Sequence, residues 1–355
     1  MRWLHAFFPN DQHPDHHKPL DGLRGIAVLM VVFGHGYNQG LGPFGESSLL
    51  IRGKLGVYLF FVLSAYLLDR QIIKMLQQGR ADWDYWLYYI SRRILRIFPL
   101  FFLALIVFRM ANASGLKVVM HDWGDVWQHL ALQRGDHIFW SIPVEFKYYL
   151  ISPIVLFVFH RLFRWNGYAI ACTLAVLMGA SYWFVLWWQP EGTNTLWFLN
   201  IFLLGTVVAL IERLRPHFWN TLTQSSVTTY AGWAVVLIFS FWSWKFDDYT
   251  HIGTFIPAAL LWSVALIASF KPGLWASLLS WKPLRWVGAV SFSMYLFHIP
   301  VLMWVKSFPI SSEIAWLIYL ALTLGVTSLT YLVVERPLQK FKPFVYGSAG
   351  TKPTS

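Results

Sequence analysis

The chain has 355 residues, of which 57% are hydrophobic, 19% aromatic and only 13% charged, where an average soluble domain is about 25% charged. That balance excludes a water-soluble globular fold and points to a bilayer as the solvent for much of the surface. The formal net charge of +11 does not mark a nucleic-acid binder, because the basic residues are scattered through the short segments between apolar runs, where Lys and Arg fix membrane orientation.

Residues 1–23 read as a polar cytosolic tail with no signal-peptide pattern. Its His5, His13, His16 and His17 alternate with Pro and Asp, and a short Pro-containing stretch does not fix ligand geometry, so no metal site is expected. Apolar runs of membrane-crossing length follow at 25–42, 54–69, 94–111, 138–159, 167–188, 195–211, 227–244, 253–270, 287–306 and 313–334. The 21 Trp and 16 Tyr suit many helix ends at headgroup depth. Between the runs, 70–92 and 112–137 are the longest polar stretches, the second with an amphipathic helix expected from Asp122 to Leu132. Cys172 is alone in an apolar run, which excludes a disulfide framework. No internal repeat is evident, which weakens a transporter reading.

An even number of crossings puts both ends on one side. With the N-terminus inside, 20 of the 28 Lys and Arg fall on that side, which makes it the cytosol. The expectation is an all-α, polytopic bundle of about ten spanning helices in the cytoplasmic (inner) membrane, both termini cytosolic. It divides into a tail at 1–23, a transmembrane domain at 24–337 and a tail at 338–355.

Charges at membrane depth are costly, so each one is a functional candidate. Arg24 and His35 are eleven residues apart, close to three turns, which puts them on one helix face about 16 Å apart. His35 thus sits near mid-membrane and Arg24 at the cytosolic boundary. Arg93 and Arg96 share a face at i,i+3, beside Arg92, and their planar forks match phosphate oxygens. Ser141, Glu145 and Tyr149 follow one another at i,i+4, next to Trp140, and a buried Glu145 needs a partner such as Lys147 or a histidine. Ser291, Tyr295 and His298 form a fourth stripe. Each has a plainer structural reading as an interhelical hydrogen bond or a topology anchor, and Ser64, Thr206, Thr323 and Ser328 read as ordinary packing residues. Together the groups suggest a vertical site, with an anion held by Arg24, Arg93 and Arg96 below proton transfer at His35, Glu145 and His298.

Six stretches resemble the membrane-bound acyltransferase-3 family of bacterial enzymes that modify surface sugars. They are Leu20-Asp-Gly-Leu-Arg-Gly-Ile-Ala through His35, Gly56-Val-Tyr-Leu-Phe-Phe-Val-Leu-Ser-Ala65, Arg92-Arg-Ile-Leu-Arg-Ile-Phe-Pro99, Trp140-Ser-Ile-Pro-Val-Glu145, Ser291-Phe-Ser-Met-Tyr-Leu-Phe-His298-Ile-Pro and Val334-Glu-Arg-Pro337. The resemblance implies functional roles for Arg24, His35, Arg93 and Arg96. It departs at Tyr58, Ala65 and Tyr66, where the family pattern has Asp, Gly and Phe. Many relatives carry a fused esterase-like domain; if such a partner is needed here, it is expected as a separate periplasmic transferase.

On this reading Arg24, Arg93 and Arg96 bind an acyl-CoA, with acetyl-CoA the expected donor. His35 acts as general base or acyl acceptor, with Glu145 or His298 orienting it. Trp140, Ser141, Tyr149 and Tyr295 line the substrate path, and the acceptor is a glycan or lipid-linked sugar at the outer face. The rival readings are a proton-coupled transporter or channel built on the same buried groups, and a membrane subunit that relays acyl groups to another protein.

Overall fold

The computed structural model describes residues 7–8, 11, 16–45, 48–188, 193–242 and 252–341, and every element among them is helical. His5, His13 and the C-terminal stretch from residue 342 lie outside the described residues. In chain order the helices are α1 (Lys18–Asn38), α2 (Gly53–Gln77), α3 (Trp83–Ala113), α4 (Trp123–Leu130), α5 (Ser141–Arg161), α6 (Gly167–Trp188), α7 (Thr195–Leu214) and α8 (Pro216–Gln224). They continue with α9 (Ser226–Trp242), α10 (Ile252–Ala268), α11 (Leu274–Leu279), α12 (Lys282–Ala289), α13 (Ser291–Lys306), α14 (Ser312–Thr330) and α15 (Arg336–Lys340).

Each of the ten apolar runs holds a helix, but fewer qualify as crossings. Six helical stretches are long and apolar enough, and eight if two bent pairs each count once: α8 with α9, bent by 71°, and α12 with α13, bent by 76°. The difference has physical causes. Helix α1 is interrupted by Asp21, Arg24 and His35, and α10 has only 17 residues. The ninth run, expected unbroken from 287, breaks at Val290 and is not one straight helix.

Helices α2 and α7 form the centre, with 72% of their most apolar windows buried, against 22% for α6 and for the stretch that begins with α14. Outward side chains on the peripheral helices, such as Val176, Trp187, Val227, Phe241 and Leu317, are large and apolar. A helix apolar on all faces with its outer side chains exposed suits lipid rather than water. Side-chain caps define several helix starts. Asp82 accepts from the Tyr85 N–H at the head of α3, Asp122 from Asp125 at α4, and Asn194 from Leu196 at α7.

Helix α1 is the element that carries the site, and its first turns lie directly on the backbone of α12. A Cβ on Gly288 would stand 1.8 Å from the Asp21 carbonyl oxygen, so only glycine permits this approach. Arg285, expected as a loop cation, is instead 3% exposed, 3.0 Å from Asp21 and paired also with Asp11. Helix α1 begins at Lys18, ahead of the expected boundary at residue 23, with Pro19 in its first turn. The described residues before it pack on the bundle: Phe7 is buried, stacked on Tyr331 with ring centroids 5.4 Å apart.

Candidate active site

Arg24 from α1 and Arg93 and Arg96 from α3 converge on two adjoining cavities of about 120 and 210 Å³, all three lining both. None of the three hydrogen-bonds or ion-pairs with another described residue. Arg93 instead lies over the rings of Tyr89 and Tyr149, 5.5–5.7 Å from their centroids. Cations left unpaired among aromatic faces retain their donors for a ligand. Arg92 is different: its Nη1 donates to the carbonyls of Gln339 and Phe341, which ties α3 to the C-terminal end of α15. Pro99, within α3, cannot donate to Leu95, so the ladder is interrupted beside Arg96.

A third cavity, of about 50 Å³, leads away from the arginines. Arg24, Arg96, Ser64 and Tyr149 line it together with Glu145, Ser141 and Tyr295. Glu145 accepts hydrogen bonds from the Ser64 and Tyr149 hydroxyls through one oxygen, Oε1. Neither expected partner is used, since Lys147 reaches the Thr193 carbonyl and the histidines stand elsewhere. Ser141 donates to the Tyr295 hydroxyl at 2.8 Å, and that hydroxyl donates to the Ile138 carbonyl.

Beyond Tyr295 lies a cavity of about 480 Å³ at the end where α1 finishes and α2 starts. It is lined by His35, Trp140 and His137, and it shares Val57 and Tyr295 with the 50 Å³ cavity. His298, fully buried on α13, points Nδ1 at the carbonyls of Met294 and Tyr295, at 3.0 and 2.9 Å. Carbonyls only accept, so Nδ1 carries the proton and Nε2 keeps its lone pair. That Nε2 stands 3.1 Å from Nδ1 of His35, which also lies 2.9 Å from the Val31 carbonyl. Both partners of His35 Nδ1 are acceptors, so it carries the proton. The assignment leaves His35 Nε2 as the basic nitrogen, and no described residue occupies it.

Arg24, Arg93 and Arg96 thus meet around shared cavities, and His35 pairs with His298. Glu145, Ser141, Tyr149 and Tyr295 line the passage between the two groups, Glu145 lying apart from the histidine pair. Several participants were not evident in the sequence. Ser64, read as packing, holds Glu145. Glu335, in a π-helical turn at Tyr331–Glu335, lines the arginine cavity and accepts from Ser293 and Gln339. His137 lies with its ring 5.5 Å from that of His35. Asp69 is buried, accepting from Tyr148 at 2.7 Å and from Ser152. The apolar spacing of Ile72, Ile73, Met75 and Leu76 was the signal that α2 runs past residue 69 and buries it. Asp11, His16 and Asp21 bring ligand-type atoms within 4.8 Å of one another, but Arg285 bonds both carboxylates and fills the place of a cation.

A family profile described as an acyltransferase domain (acyltransferase-3) matches residues 18–335. The chain belongs to the acyltransferase-3 family. The O-acetyltransferase OatA of Staphylococcus aureus is 27% identical over 92% of this acyltransferase-3 chain and 58% of its own length. The putative peptidoglycan O-acetyltransferase YrhL of Bacillus subtilis is 25% identical over 94% and 57%. The peptidoglycan O-acetyltransferase OatA of Listeria monocytogenes is 22% identical over 90% and 55%. The chain therefore spans little more than half the length of these relatives. No solved structure matches it.

Proposed function

We propose that this chain is a membrane O-acyltransferase, moving an acetyl group from cytosolic acetyl-CoA to a glycan hydroxyl on the opposite face of the cytoplasmic membrane. The observation that carries the reading is the row of cavities from three unpaired guanidinium groups to the free Nε2 of His35. Arg24, Arg93 and Arg96 hold the coenzyme A phosphates through forked, charge-assisted hydrogen bonds. The slender pantetheine arm extends through the space beside Ser64 and Glu145 and presents the thioester toward Tyr295.

In the reaction His35 Nε2 removes the proton from the acceptor hydroxyl as its oxygen attacks the thioester carbonyl. A C–O bond forms, the C–S bond breaks, and the imidazolium returns its proton to the departing thiolate. The Nδ1–H bond to His298 keeps His35 in the tautomer this step needs, as the third member of a triad does. The same nitrogen is the nucleophile if the acyl group first rests on His35; an acyl-protein that forms without acceptor identifies that route. The relatives named for peptidoglycan O-acetylation support a glycan acceptor. On this reading both ends of the chain are cytosolic.

The test uses the purified chain in liposomes with radiolabelled acetyl-CoA and an oligosaccharide acceptor, one on each side. Label should reach the glycan, and His35→Ala should stop it while leaving the protein inserted. Full transfer by that variant, or proton flux with no consumption of acetyl-CoA, sinks the proposal, the second outcome in favour of a transporter. Label that passes only to a second, separately added transferase points to a relay subunit.

A further inference from the structure

The transfer proposed above develops a charge for which no partner has been named. When the acceptor oxygen attacks, the electron pair of the thioester C=O moves onto its oxygen, and an efficient site holds a hydrogen-bond donor aimed at that position. Tyr295, toward which the thioester is presented, has given its one proton to the Ile138 carbonyl. His35 has committed its Nδ1 proton to His298 and Val31. Arg52 and Lys54, which line the same cavity, have interactions of their own.

His137 stands where the donor is missing. Its ring lies 5.5 Å from that of His35, and it lines the same 480 Å³ cavity. It is also the residue that this cavity shares with a neighbouring one of about 470 Å³ under the 112–121 segment. The imidazole makes no hydrogen bond or ion pair with a described residue. The backbone that aims it is unusual, because His137 has φ +53°, in the left-handed region that residues with a side chain seldom adopt. Such a conformation persists where the neighbours over-determine it. Here Asp136 donates its N–H to the buried His129 at 3.0 Å and ion-pairs with Arg134 at 2.8 Å, while on the other side the Ile138 carbonyl holds Tyr295. A ring carried on a backbone pinned from both sides is in place before the charge forms, as electrostatic stabilisation requires.

We infer that His137 is a second catalytic histidine, whose ring N–H donates a hydrogen bond to the thioester carbonyl oxygen as it becomes an oxyanion. The inference rests on the proposed transfer and adds the group that stabilises its charge. His137 gives up no proton. The C=O electron pair goes to the oxygen as the C–O bond forms and returns as the C–S bond breaks, and the departing thiolate takes its proton from His35. A neutral imidazole suffices, since it polarises a carbonyl without itself being charged. The role is the same if His35 Nε2 is the attacking atom. The competing donor is the Asn38 amide, in the same cavity but three residues, about 4.5 Å, further out along α1 and so further from where the thioester enters.

The experiment follows transfer by the full chain in liposomes to an N-acetylglucosamine oligosaccharide from two donors, acetyl-CoA and dithioacetyl-CoA, whose C=S accepts hydrogen bonds only weakly. His137→Gly removes the ring and suits the left-handed backbone, so its unfolding midpoint in detergent should hold or rise. Its kcat with acetyl-CoA should fall by about 10²–10³-fold, the scale of losing one oxyanion donor, with little change in the KM for acceptor. With dithioacetyl-CoA the ratio of intact to variant kcat should shrink to below about tenfold, because the intact chain no longer gains from the bond. His137→Asn, at home at positive φ and still carrying an N–H donor, should recover part of the acetyl-CoA rate. A penalty of the same size with both donors overturns the inference. So does a loss that depends on the C=O in Asn38→Ala and not in His137→Gly, which gives the donor to Asn38. Transfer by the intact chain with an unaltered kcat in His137→Gly fails this inference alone, whereas no transfer by the intact chain fails the reaction and the inference with it.

Discussion

Nε2 of His298 lies 3.1 Å from Nδ1 of His35, with the His298 ring fixed from behind by two backbone carbonyls. A histidine so held acts as an acceptor that dictates the tautomer of its neighbour. His298→Leu should therefore lower kcat by about a hundredfold or more, the scale of losing a correctly oriented base, with little change in the KM for donor. His298→Gln keeps a carbonyl able to accept from His35 and should recover part of the loss. Steady-state kinetics on both variants, with circular dichroism to confirm retained helix, check this; an unaltered kcat in His298→Leu removes the positioning role.

Arg24, Arg93 and Arg96 make no hydrogen bond or ion pair with a described residue, so on the proposed transfer replacing any one by Gln should act on donor binding before it acts on fold. A hydrogen bond to a charged group contributes about 1.5–3 kcal/mol, or roughly a ten- to hundredfold rise in KM for acetyl-CoA. Arg93→Lys should behave like a loss, because an ammonium has neither the fork for phosphate nor the planar face that meets Tyr89 and Tyr149. Donor titration of each variant reads the effect, and a wild-type KM in Arg93→Lys contradicts it.

Glu145 gives the opposite expectation from the one its charge suggests. It accepts from two hydroxyls through Oε1 and does not reach the histidine pair. Glu145→Gln retains an acceptor at that atom and should keep activity within about tenfold, whereas Glu145→Leu strands the Ser64 and Tyr149 hydroxyls at about 1–3 kcal/mol each. Activity and thermal unfolding in detergent separate the two variants. A Gln variant as dead as His35→Ala makes Glu145 a proton carrier.

Outside the spans, α4 should be sensitive to acid. His129 is buried there, donating from Nδ1 to the Asp125 carbonyl at 2.7 Å and accepting the Asp136 N–H on Nε2 at 3.0 Å. Burial holds its pKa below the ordinary histidine value of 6.5. On acidification the opened segment then takes a proton before the closed one does. Stability is full above about pH 6.5 and declines as pH falls below it toward the folded value. The Asp125 carboxylate, held low chiefly by the His121 N–H, adds a loss in the same direction at still lower pH. Exchange of the Trp123–Leu130 amides, corrected for intrinsic rate, should quicken below about pH 6.5, and His129→Gln should flatten that response.

Much of this was legible in the chain because helix faces obey arithmetic. The spacings of Arg24 with His35, Arg93 with Arg96, and Ser141 with Glu145 and Tyr149 set each group on one side of its helix. Apolar runs located the ten helices they lie on. What spacing does not specify is which face meets which. Ser64 and Glu145 are 81 positions apart, and Ser293 and Glu335 are 42 apart, so their pairing depends on bundle packing alone. Arg285 passed for a loop cation because its partners Asp11 and Asp21 belong to the other end of the sequence. The break in the ninth run was hidden because Val290, between Ala289 and Ser291, is neither Pro nor charged.

The walls shared by the central and histidine cavities are Val57 and Tyr295. On the proposed route between the two membrane faces, a phenol ring and an isopropyl group are what separate the cavities. The Tyr295 hydroxyl is held twice, accepting from Ser141 and donating to the Ile138 carbonyl, which fixes the ring in place. A Tyr295→Ala protein in liposomes should leak protons under an imposed gradient where the intact chain does not. On that account the tyrosine serves the membrane's charge separation, whichever acceptor the transfer uses.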